Sequence, residues 1–374
     1  MITINAYKLN FKLDEPLAVS FHTFYYRESV LIELRYNDLT GYGEAAPFKL
    51  ITGDSQKEVI EQLKILKELD IDPTKNTIED LHVLLDERKT SHTLRAALDF
   101  AYHDLFAKIK GIPVYQLYTP QPKLVNNSVT VFIKDNPEET AQDAQKLYAE
   151  YPDLKLLKIK LKGEQQDIER AKAIKNVSSS RMMFSVDANQ GFKDPKDAVS
   201  ALMEIKQILE NMTIVEEPCQ KGDLDKLKYV TDHVQDMLIF ADETVATVGD
   251  AKRVVDAKAA HGVNIKLQKA GGIFKGKEIA KLCTDNGLKI MVGCMFEGPS
   301  AIAAGVHFVV STPDIVSSDL DSDLDMPKHE EGRIPFTDGK RIPSVAPGLG
   351  IAYDFEKIKQ LQTEGTVAFL PILR

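Results

Sequence analysis

From about residue 124 onward, strand-like runs alternate with helix-like runs, and this alternation constrains the fold more than any other feature of the chain. We predict strands at 128–133, 155–161, 183–187, 213–216, 238–242, 263–267, 289–293 and 314–319, with helices between them that include 137–148, 166–175, 195–210 and 276–286. Short apolar strands of this kind are typical of buried parallel sheets. Eight strands alternating with helices predict an α/β protein with a (β/α)7–8 barrel, and a doubly wound open sheet is the alternative.

The segments on either side of this region have a different pattern. Residues 1–11 and 28–36 are predicted strands, 19–27 is an expected loop or turn, and 91–109 is a predicted helix that ends at Gly111. Strands followed by helices indicate a compact α+β domain over 1–123. The barrel then spans 124–331, and the tail at 332–374 is expected to pack back on the first domain.

Charge and composition exclude several classes of protein. The 374-residue chain has a net charge of −9 and no block of basic residues, which argues against nucleic-acid binding. No apolar run reaches the roughly 18 residues that a membrane span requires, and the N-terminus lacks the pattern of a signal peptide. The three cysteines show no metal-type spacing. A location in the reducing cytoplasm is therefore expected.

An acidic residue ends three consecutive predicted strands, at Asp187, Glu216 and Asp242. The intervals between them are about one βα unit each, and the carboxyl ends of barrel strands carry the active site in this fold. Neighbouring carboxylates repel each other unless a cation lies between them. A carboxylate set without histidine or cysteine favours a hard ion, so we predict Mg²⁺ rather than zinc. A helix cap or a loop turn is the alternative role for each acid taken alone.

Lysines alternate with apolar residues in the second predicted strand, so Lys158, Lys160 and Lys162 share one face. An edge strand with a solvated basic face is one interpretation, and Lys162 is expected to be solvated. However, Lys160 on strand two and Lys266 on strand six would lie on opposite walls of an eight-stranded barrel, with the metal between them. One lysine could remove the α-proton of a metal-bound carboxylate substrate and the other return a proton to the opposite face, through an enediolate that Mg²⁺ stabilises. This two-base epimerisation needs one neutral lysine, whose pKa Lys158 and the metal are expected to lower.

Several motifs, in order along the chain, carry a resemblance to a known family. They are GYGEAAP in the first domain, KIK at 158–160, DAN at 187–189, EEP at 216–218, ADET at 241–244, NIKLQKAGGI at 264–273 and PGLG near the end. The chain resembles the enolase superfamily, muconate-lactonising-enzyme subgroup, and within it the L-Ala-D/L-Glu epimerase-like dipeptide epimerases. The resemblance implies a capping domain made from both ends of the chain. It also implies Lys160 and Lys266 as the acid/base pair and one Mg²⁺ per subunit, bound by Asp187, Glu216 and Asp242.

The substrate-binding residues are predicted mainly from this resemblance. Asp319 and Asp321 lie two residues apart after the eighth strand and share a face, so they could bind the ammonium group of a dipeptide. A DxD motif has this role in dipeptide epimerases. A solvated acidic loop is the alternative, because Asp323 and Asp325 continue the series. The resemblance also places three further residues in the pocket, namely Thr130, Cys294 and Phe296. Lys158, beside Lys160, is expected to contact a carboxylate and is a further candidate substrate-binding residue.

One departure from the resemblance concerns side-chain specificity. The L-Ala-D/L-Glu epimerases carry an arginine in the first-domain loop that meets the glutamate side chain of the substrate. The matching position here is His22, and Arg27 is nearby but shifted. We include His22 as a candidate substrate-binding residue, and an ordinary loop histidine is the alternative. Specificity for L-Ala-L-Glu is therefore open.

Together, these features predict a Mg²⁺-dependent dipeptide epimerase that inverts the α-carbon of the C-terminal residue of an L-Ala-L-Glu-like dipeptide. An N-acylamino-acid racemase, an o-succinylbenzoate-synthase-like enzyme or a cycloisomerase is the alternative within the same chemistry, and such enzymes would not need the Asp319 and Asp321 pair. A non-catalytic metal-binding barrel is the third hypothesis, but a scaffold has no use for two opposed buried amines. A homo-oligomer is expected.

Overall fold

The first 110 residues form an antiparallel sheet that packs on helices. In the computed structural model, which describes residues 2–66, 68–324 and 326–373, the strands are β1 (Ile2–Val19), β2 (His22–Tyr36), β3 (Leu39–Ala45) and β4 (Glu68–Leu69). The helices are α1 (Lys49–Thr52), α2 (Gln56–Leu66), α3 (Ile78–Glu87) and α4 (His92–Lys110). A 3₁₀ helix at Val114–Leu117 follows. The predicted α+β domain is thus present.

The prediction of a loop or turn at 19–27 is wrong, because β2 begins at His22 and pairs with β1 from there. The register places Leu17 opposite Phe24 and Val19 opposite His22, so that the turn itself is only two residues long. Aromatic residues such as Phe24, Tyr25 and Tyr26 favour strands, because they fit the pleated surface of a sheet. The long hairpin of β1 and β2 therefore extends beyond the rest of the sheet.

Eight parallel strands form the barrel, as predicted, in the spatial order of the chain. They are β5 (Val129–Val131), β6 (Leu156–Lys160), β7 (Met183–Asp187), β8 (Met212–Glu216), β9 (Leu238–Ala241), β10 (Gly262–Lys266), β11 (Lys289–Gly293) and β12 (Ile315–Asp319). The first and last strands meet where Ser128 N donates to Ser318 O at 2.7 Å and Ser318 N donates to Asn126 O at 3.1 Å. The sheet is therefore a nearly closed barrel and not a doubly wound open sheet.

Helices surround the barrel and begin at well-defined caps. They are α5 (Pro137–Glu150), α6 (Gln166–Val177), α7 (Pro195–Ile208), α8 (Leu224–His233), α9 (Val248–Ala257), α10 (Leu267–Ala270), α11 (Ile273–Asp285) and α12 (Pro299–Val310). The side chains of Asn136 and Asp194 accept a hydrogen bond from the backbone at the start of α5 and α7, and a proline follows each of them. Both features favour a helix start. Within the described ranges, no helix is long and apolar enough to cross a membrane.

The tail returns to the first domain. It contains β13 (Glu330–Glu331), β14 (Phe336–Thr337), β15 (Lys340–Arg341), β16 (Ala352–Tyr353), α13 (Phe355–Thr363) and β17 (Val367–Leu373). Strand β17 pairs antiparallel with β1, with Phe11 opposite Val367, and gives the sheet order β17-β1-β2-β3. Both ends of the chain therefore build the capping domain. The boundaries at 123/124 and 331/332 stay predictions.

Buried polar contacts hold the capping domain against the barrel. Asp99 of α4 accepts a hydrogen bond from Ile273 N at the start of α11, at 2.5 Å, and lies 2.8 Å from His82 Nε2. Gln268 Nε2 donates to the backbone oxygen of Glu44 at 2.9 Å, and its side-chain oxygen accepts from Ala46 N at 3.1 Å. These contacts place the end of β3 above the barrel, on the side where the strands have their carboxyl ends.

Candidate active site

The three predicted metal ligands lie together at the carboxyl ends of β7, β8 and β9. Each of Asp187, Glu216 and Asp242 is buried and offers a carboxylate oxygen, and these oxygens all lie within 4.8 Å of one another. Glu216 Oε1 and Asp242 Oδ2 lie near lysine ammonium groups, but in the described part of the chain they accept no well-aligned hydrogen bond. Buried polar atoms normally have a partner. An all-oxygen donor set with unpaired oxygens fits a hard divalent cation.

Lys160 and Lys266 flank this triad from opposite sides. They end β6 and β10, which are four positions apart in the barrel of eight strands. Lys160 Nζ lies 2.7 Å from Asp187 Oδ2, and Lys266 Nζ lies 2.7 Å from Asp242 Oδ2. Side chains alternate along a strand, so Leu157 and Ile159 point the other way, into the core under the surrounding helices. The predicted opposed arrangement of the two amines is therefore present.

Lys158 is buried and contacts three acids of the site. Its Nζ forms an ion pair with Asp319 and lies 2.9 Å from Glu216 and 3.2 Å from Asp187 Oδ2. Burial alone would lower the pKa of Lys158, but the charges of Asp319, Glu216 and Asp187 outweigh burial and raise the pKa well above its usual value. The Asp187 carboxylate lies between Lys158 and Lys160 and pairs with both. Lys158 is thus the buried cation that holds the acidic cluster together.

The pKa values of the triad are spread by its surroundings. Burial would raise the pKa of Asp187, but Lys160 and Lys158 outweigh burial and lower that pKa to about 2. For Glu216, burial outweighs the attraction of Lys158 and raises the pKa to about 8. Burial would lower the pKa of Lys266, but Asp242, Asp187 and Asp319 together outweigh burial and raise that pKa. The expected lowering of a lysine pKa depends on the metal as well as on Lys158, and it stays a prediction.

Several residues of the site were not predicted. Lys269 Nζ, in the turn of helix α10, lies 2.7 Å from Asp242 Oδ1, and Asn264 Nδ2 donates to Glu216 Oε2 at 2.7 Å. The sequence contains a signal for Asn264, which is two residues before Lys266 and so shares its face of β10. Lys269 had no such signal, because its position depends on the short helix that interrupts the motif after the strand.

The loops after β7 and β8 have an unusual backbone. Asn189, Gln190 and Glu217 have positive φ angles of 41°, 66° and 32°. Non-glycine residues in this region cost about 1–3 kcal/mol each and cluster at functional sites. The Glu217 carboxylate accepts hydrogen bonds from Asp242 N at 2.7 Å and Thr244 N at 3.0 Å. These bonds join the loop after β8 to the backbone that follows β9, where Asp242 lies.

A cavity of about 330 Å³ lies between the barrel and the capping domain, with Lys160 and Lys266 in its wall. The predicted residues that also line it are Lys158, Thr130, Cys294, Phe296, Asp319 and Asp321. His22 does not line this cavity. It is exposed and lines a neighbouring depression, where its ring packs at 5.0 Å from the ring of Phe48. Arg27, which follows on β2, is buried and does line the cavity.

The acidic residues after β12 form an ordered part of the cavity wall. Asp319 is 4% exposed, and its Oδ1 accepts no hydrogen bond within the described residues. Thr130 N donates to Asp321 Oδ2 at 2.8 Å, and burial together with Asp319 raises the pKa of Asp321 to about 6. Asp323 faces elsewhere and pairs with Arg341 at 2.5 Å, and Asp325 lies outside the described residues. A solvated acidic loop therefore does not describe Asp319 and Asp321.

Glycine at the end of β11 leaves room for this wall. A Cβ at Gly293 would lie 2.6 Å from Asp319 Oδ1 and 2.9 Å from Asn264 Nδ2. Real Cβ atoms essentially never lie closer than 3.0 Å to such atoms, so both side chains would have to move. The close approach of β11 thus fixes where the Asp319 carboxylate can lie.

The fold and the site define a class of protein, namely (β/α) barrels with a metal-binding acidic triad between two opposed lysines and a capping domain above. Comparison with family models gives the family. Residues 139–358 match the model described as Enolase C-terminal domain-like, and residues 1–118 match the Mandelate racemase / muconate lactonizing enzyme, N-terminal domain. The chain belongs to the enolase superfamily.

Individual relatives are similar over almost the whole chain. The L-Ala-D/L-Glu epimerase of Bacillus subtilis is 32% identical over 358 residues, which cover 94% of this chain and 96% of the relative. The dipeptide epimerase from Enterococcus faecalis complexed with Mg and the dipeptide L-Leu-L-Tyr has a TM-score of 0.85 at 30% identity, with 94% of this chain and 100% of that chain covered. The N-succinyl Arg/Lys racemase from Bacillus cereus has a TM-score of 0.88 at 25% identity, with 99% of each chain covered. Structural similarity alone therefore does not separate dipeptide substrates from N-acylated ones.

Proposed function

We propose that this protein is a Mg²⁺-dependent dipeptide epimerase that inverts the α-carbon of the C-terminal residue of its substrate. The observation that carries the proposal is the combination of two opposed lysines at the acidic triad with the Asp319 and Asp321 carboxylates in the same cavity. The relatives from Bacillus subtilis and Enterococcus faecalis support it, since both are epimerases that act on dipeptides. A homo-oligomer and a cytoplasmic location stay predictions from the sequence.

The residues that would hold the ion are Asp187, Glu216 and Asp242, each of which offers a buried carboxylate oxygen within 4.8 Å of the other two. When bound, Mg²⁺ supplies positive charge that stabilises the enediolate and offsets the carboxylates which raise the pKa of Lys266. Asn264 contacts the carboxylate of Glu216, and Lys269 contacts the carboxylate of Asp242. Such supporting contacts orient ligands and are expected to matter for metal affinity.

Lys160 and Lys266 would exchange roles according to the epimer that binds. One lysine, in its neutral form, takes the α-proton from its own face of the substrate. The other, as an ammonium ion, delivers a proton to the opposite face, so that one proton leaves and one arrives. Each turnover leaves the two amines with their protonation states reversed. Because the lysines lie on opposite walls, this exchange produces inversion at the α-carbon.

The acidic wall supports a substrate with a free amino group. Asp319 and Asp321 are both in the cavity, and Asp321 is held in place by its bond from Thr130 N. An ammonium group between these carboxylates would gain two charge-assisted hydrogen bonds. The amide nitrogen of an N-acylamino acid carries no charge and would leave Asp321 without a cation, whereas Asp319 would keep its ion pair with Lys158. This wall therefore favours a dipeptide over the substrate of a racemase or a cycloisomerase.

Proton exchange tests the proposal. A panel of dipeptides and a matched panel of N-acetyl and N-succinyl amino acids would be incubated with the protein and Mg²⁺ in D₂O and followed by ¹H NMR. We expect deuterium at the α-carbon of the C-terminal residue of at least one dipeptide. Asp321→Asn should raise KM for that dipeptide more than it lowers kcat. Exchange in the N-acylated compounds but in no dipeptide would overturn the proposal in favour of a racemase.

A further inference from the structure

The wall of the cavity on the side of the capping domain is aromatic and aliphatic. The side chains that form it are Leu17, Phe24, Phe48 and Ile51 of the capping domain and Phe132 and Phe296 of the barrel loops. The ring centroids of Phe24 and Phe296 are 4.1 Å apart, and those of Phe24 and Phe48 are 4.9 Å apart. The rings thus form a continuous apolar surface that joins the capping domain to the barrel.

This surface lines the same cavity as Lys160 and Lys266. Ser20, in the turn between β1 and β2, donates a hydrogen bond to Asn189 O in the loop that follows β7. Lys221 Nζ donates to Leu50 O in α1 at 2.9 Å. These contacts hold the β1–β2 turn and α1 against the loops after β7 and β8, beside Lys160. A substrate α-carbon placed between Lys160 and Lys266 would therefore lie in a cavity that has this apolar surface in its wall.

Three directions are available to the substituents of that carbon. The substrate carboxylate would point toward the acidic triad. The amide, which leads to the amino group, would point toward Asp319 and Asp321. The side chain of the epimerised residue would then point toward the capping domain, where Phe24, Phe48 and Phe296 line the cavity. Burying an apolar side chain there is favourable, whereas a charged one would lose its hydration.

Charged groups also lie near this apolar surface. Lys134 Nζ pairs with Glu15 at 2.7 Å and with Asp143 at 3.4 Å, and Lys146 Nζ pairs with Asp143 at 3.0 Å, so two cations balance two anions there. The guanidinium of Arg27 lies 5.5 Å above the centre of the Phe296 ring, which is a cation–π geometry. Arg27 is thus the cation that an acidic substrate side chain would approach, and a comparison of L-Ala-L-Glu with apolar dipeptides tests this.

We infer that the residue which is epimerised carries an apolar side chain, aliphatic or aromatic, in preference to glutamate. The inference rests on the proposed function and refines it by naming the substrate class. The first test compares kcat/KM for L-Ala-L-Leu, L-Ala-L-Phe, L-Ala-L-Glu and L-Ala-L-Lys. We expect at least a tenfold preference for the leucine or phenylalanine peptide over both charged ones, since a hydrophobic pocket discriminates by about that factor.

The possible results are distinct. If the glutamate peptide is the best substrate, the inference is overturned and the epimerase function stands, with Arg27 as the residue that recognises the acid. If the lysine peptide is the best, the inference is likewise overturned. If no dipeptide exchanges its α-proton, the proposed function fails, and the inference fails with it. A preference for leucine or phenylalanine supports both.

A matched pair of variants tests the surface itself. Phe296→Ala should lower kcat/KM at least tenfold for the preferred peptide but less than threefold for L-Ala-L-Ala, whose methyl side chain is too short to use the surface. A merely structural role for Phe296 would lower both values alike, and that result would overturn the assignment. Tyr25→Ala is the control, because Tyr25 is 59% exposed on the same strand as Phe24 and does not line the cavity. It should leave both values unchanged.

Discussion

The Glu216→Gln substitution gives a quantitative test of the acidic site. Burial raises the pKa of Glu216 from 4.5 to about 8 against the attraction of Lys158. The folded protein therefore holds this proton more tightly than the unfolded chain does. As a consequence, the free energy of unfolding falls as the pH rises from the unfolded pKa toward the folded one, and levels off above about pH 8. Glutamine has nearly the same size but does not titrate, so this contribution disappears in the variant.

The expected size follows from the difference between the two pKa values. Since each unit of pKa corresponds to about 1.36 kcal/mol, Glu216 should lower the free energy of unfolding by roughly 4 kcal/mol between about pH 5 and pH 8.5. Acids far from the site contribute to the pH profile of both proteins alike. The difference between the wild-type and variant profiles therefore gives the contribution of Glu216 together with its effect on Asp187, Asp319 and Asp242, and the wild-type profile should be the steeper one.

Urea unfolding in the presence of EDTA, followed by far-UV circular dichroism, measures this difference, because the chain has no tryptophan for fluorescence. Glu204→Gln is the matched control, since Glu204 is exposed on α7, and its profile should follow the wild type. Adding Mg²⁺ at pH 8 should stabilise the wild type and have little effect on Glu216→Gln, because a ligand that binds only the folded state stabilises it. Parallel profiles for wild type and Glu216→Gln would refute the reasoning about this cluster.

Two further substitutions test the geometry around the site. Gly293→Ala should lower kcat/KM more than tenfold with an unchanged circular dichroism spectrum, because the new methyl group displaces Asp319. Gly249→Ala is the control and should have no such effect, because the nearest atom to its new methyl group is 3.6 Å away. Equal losses of kcat/KM in the two variants would contradict this explanation. Asp99→Ala should lower the free energy of unfolding by about 3–5 kcal/mol, because the buried groups that contact Asp99 would lose its carboxylate and stay buried. Asp86→Ala is the control, because the Asp86 side chain is 57% exposed in its ion pair. This substitution should lower the free energy of unfolding by less than about 1 kcal/mol in the same urea titration. A comparable loss in both variants would show that the burial of Asp99 is not the cause.

The sequence alone predicted the barrel and the core of its site for a physical reason. Parallel strands that are buried on both faces are short and apolar, and their carboxyl ends must meet at one rim. The polar residues that follow such strands therefore converge whatever the loops do. This reasoning placed Asp187, Glu216 and Asp242 together and set Lys160 opposite Lys266, as the structure has them.

Contacts between distant segments could not be read from local pattern. The loop expected at 19–27 is a strand because β1 offers it a partner, and the pairing of His22 with Val19 turns the histidine to the surface. The role of Lys158 depends on three acids from three other strands, which raise its pKa and keep it charged. The aromatic surface in the cavity wall depends on how the capping domain packs on the barrel, and a local sequence pattern does not contain that information.

The most direct test of the central claim is the behaviour of Lys160→Ala and Lys266→Ala with a dipeptide that the wild type epimerises. Both epimers of the dipeptide would be followed separately by ¹H NMR in D₂O with Mg²⁺. The two-lysine account predicts that each variant fails to interconvert the epimers. It also predicts that each still exchanges the α-proton of only one epimer, and that the epimer differs between the variants. Epimerisation at the wild-type rate by either variant would contradict the account.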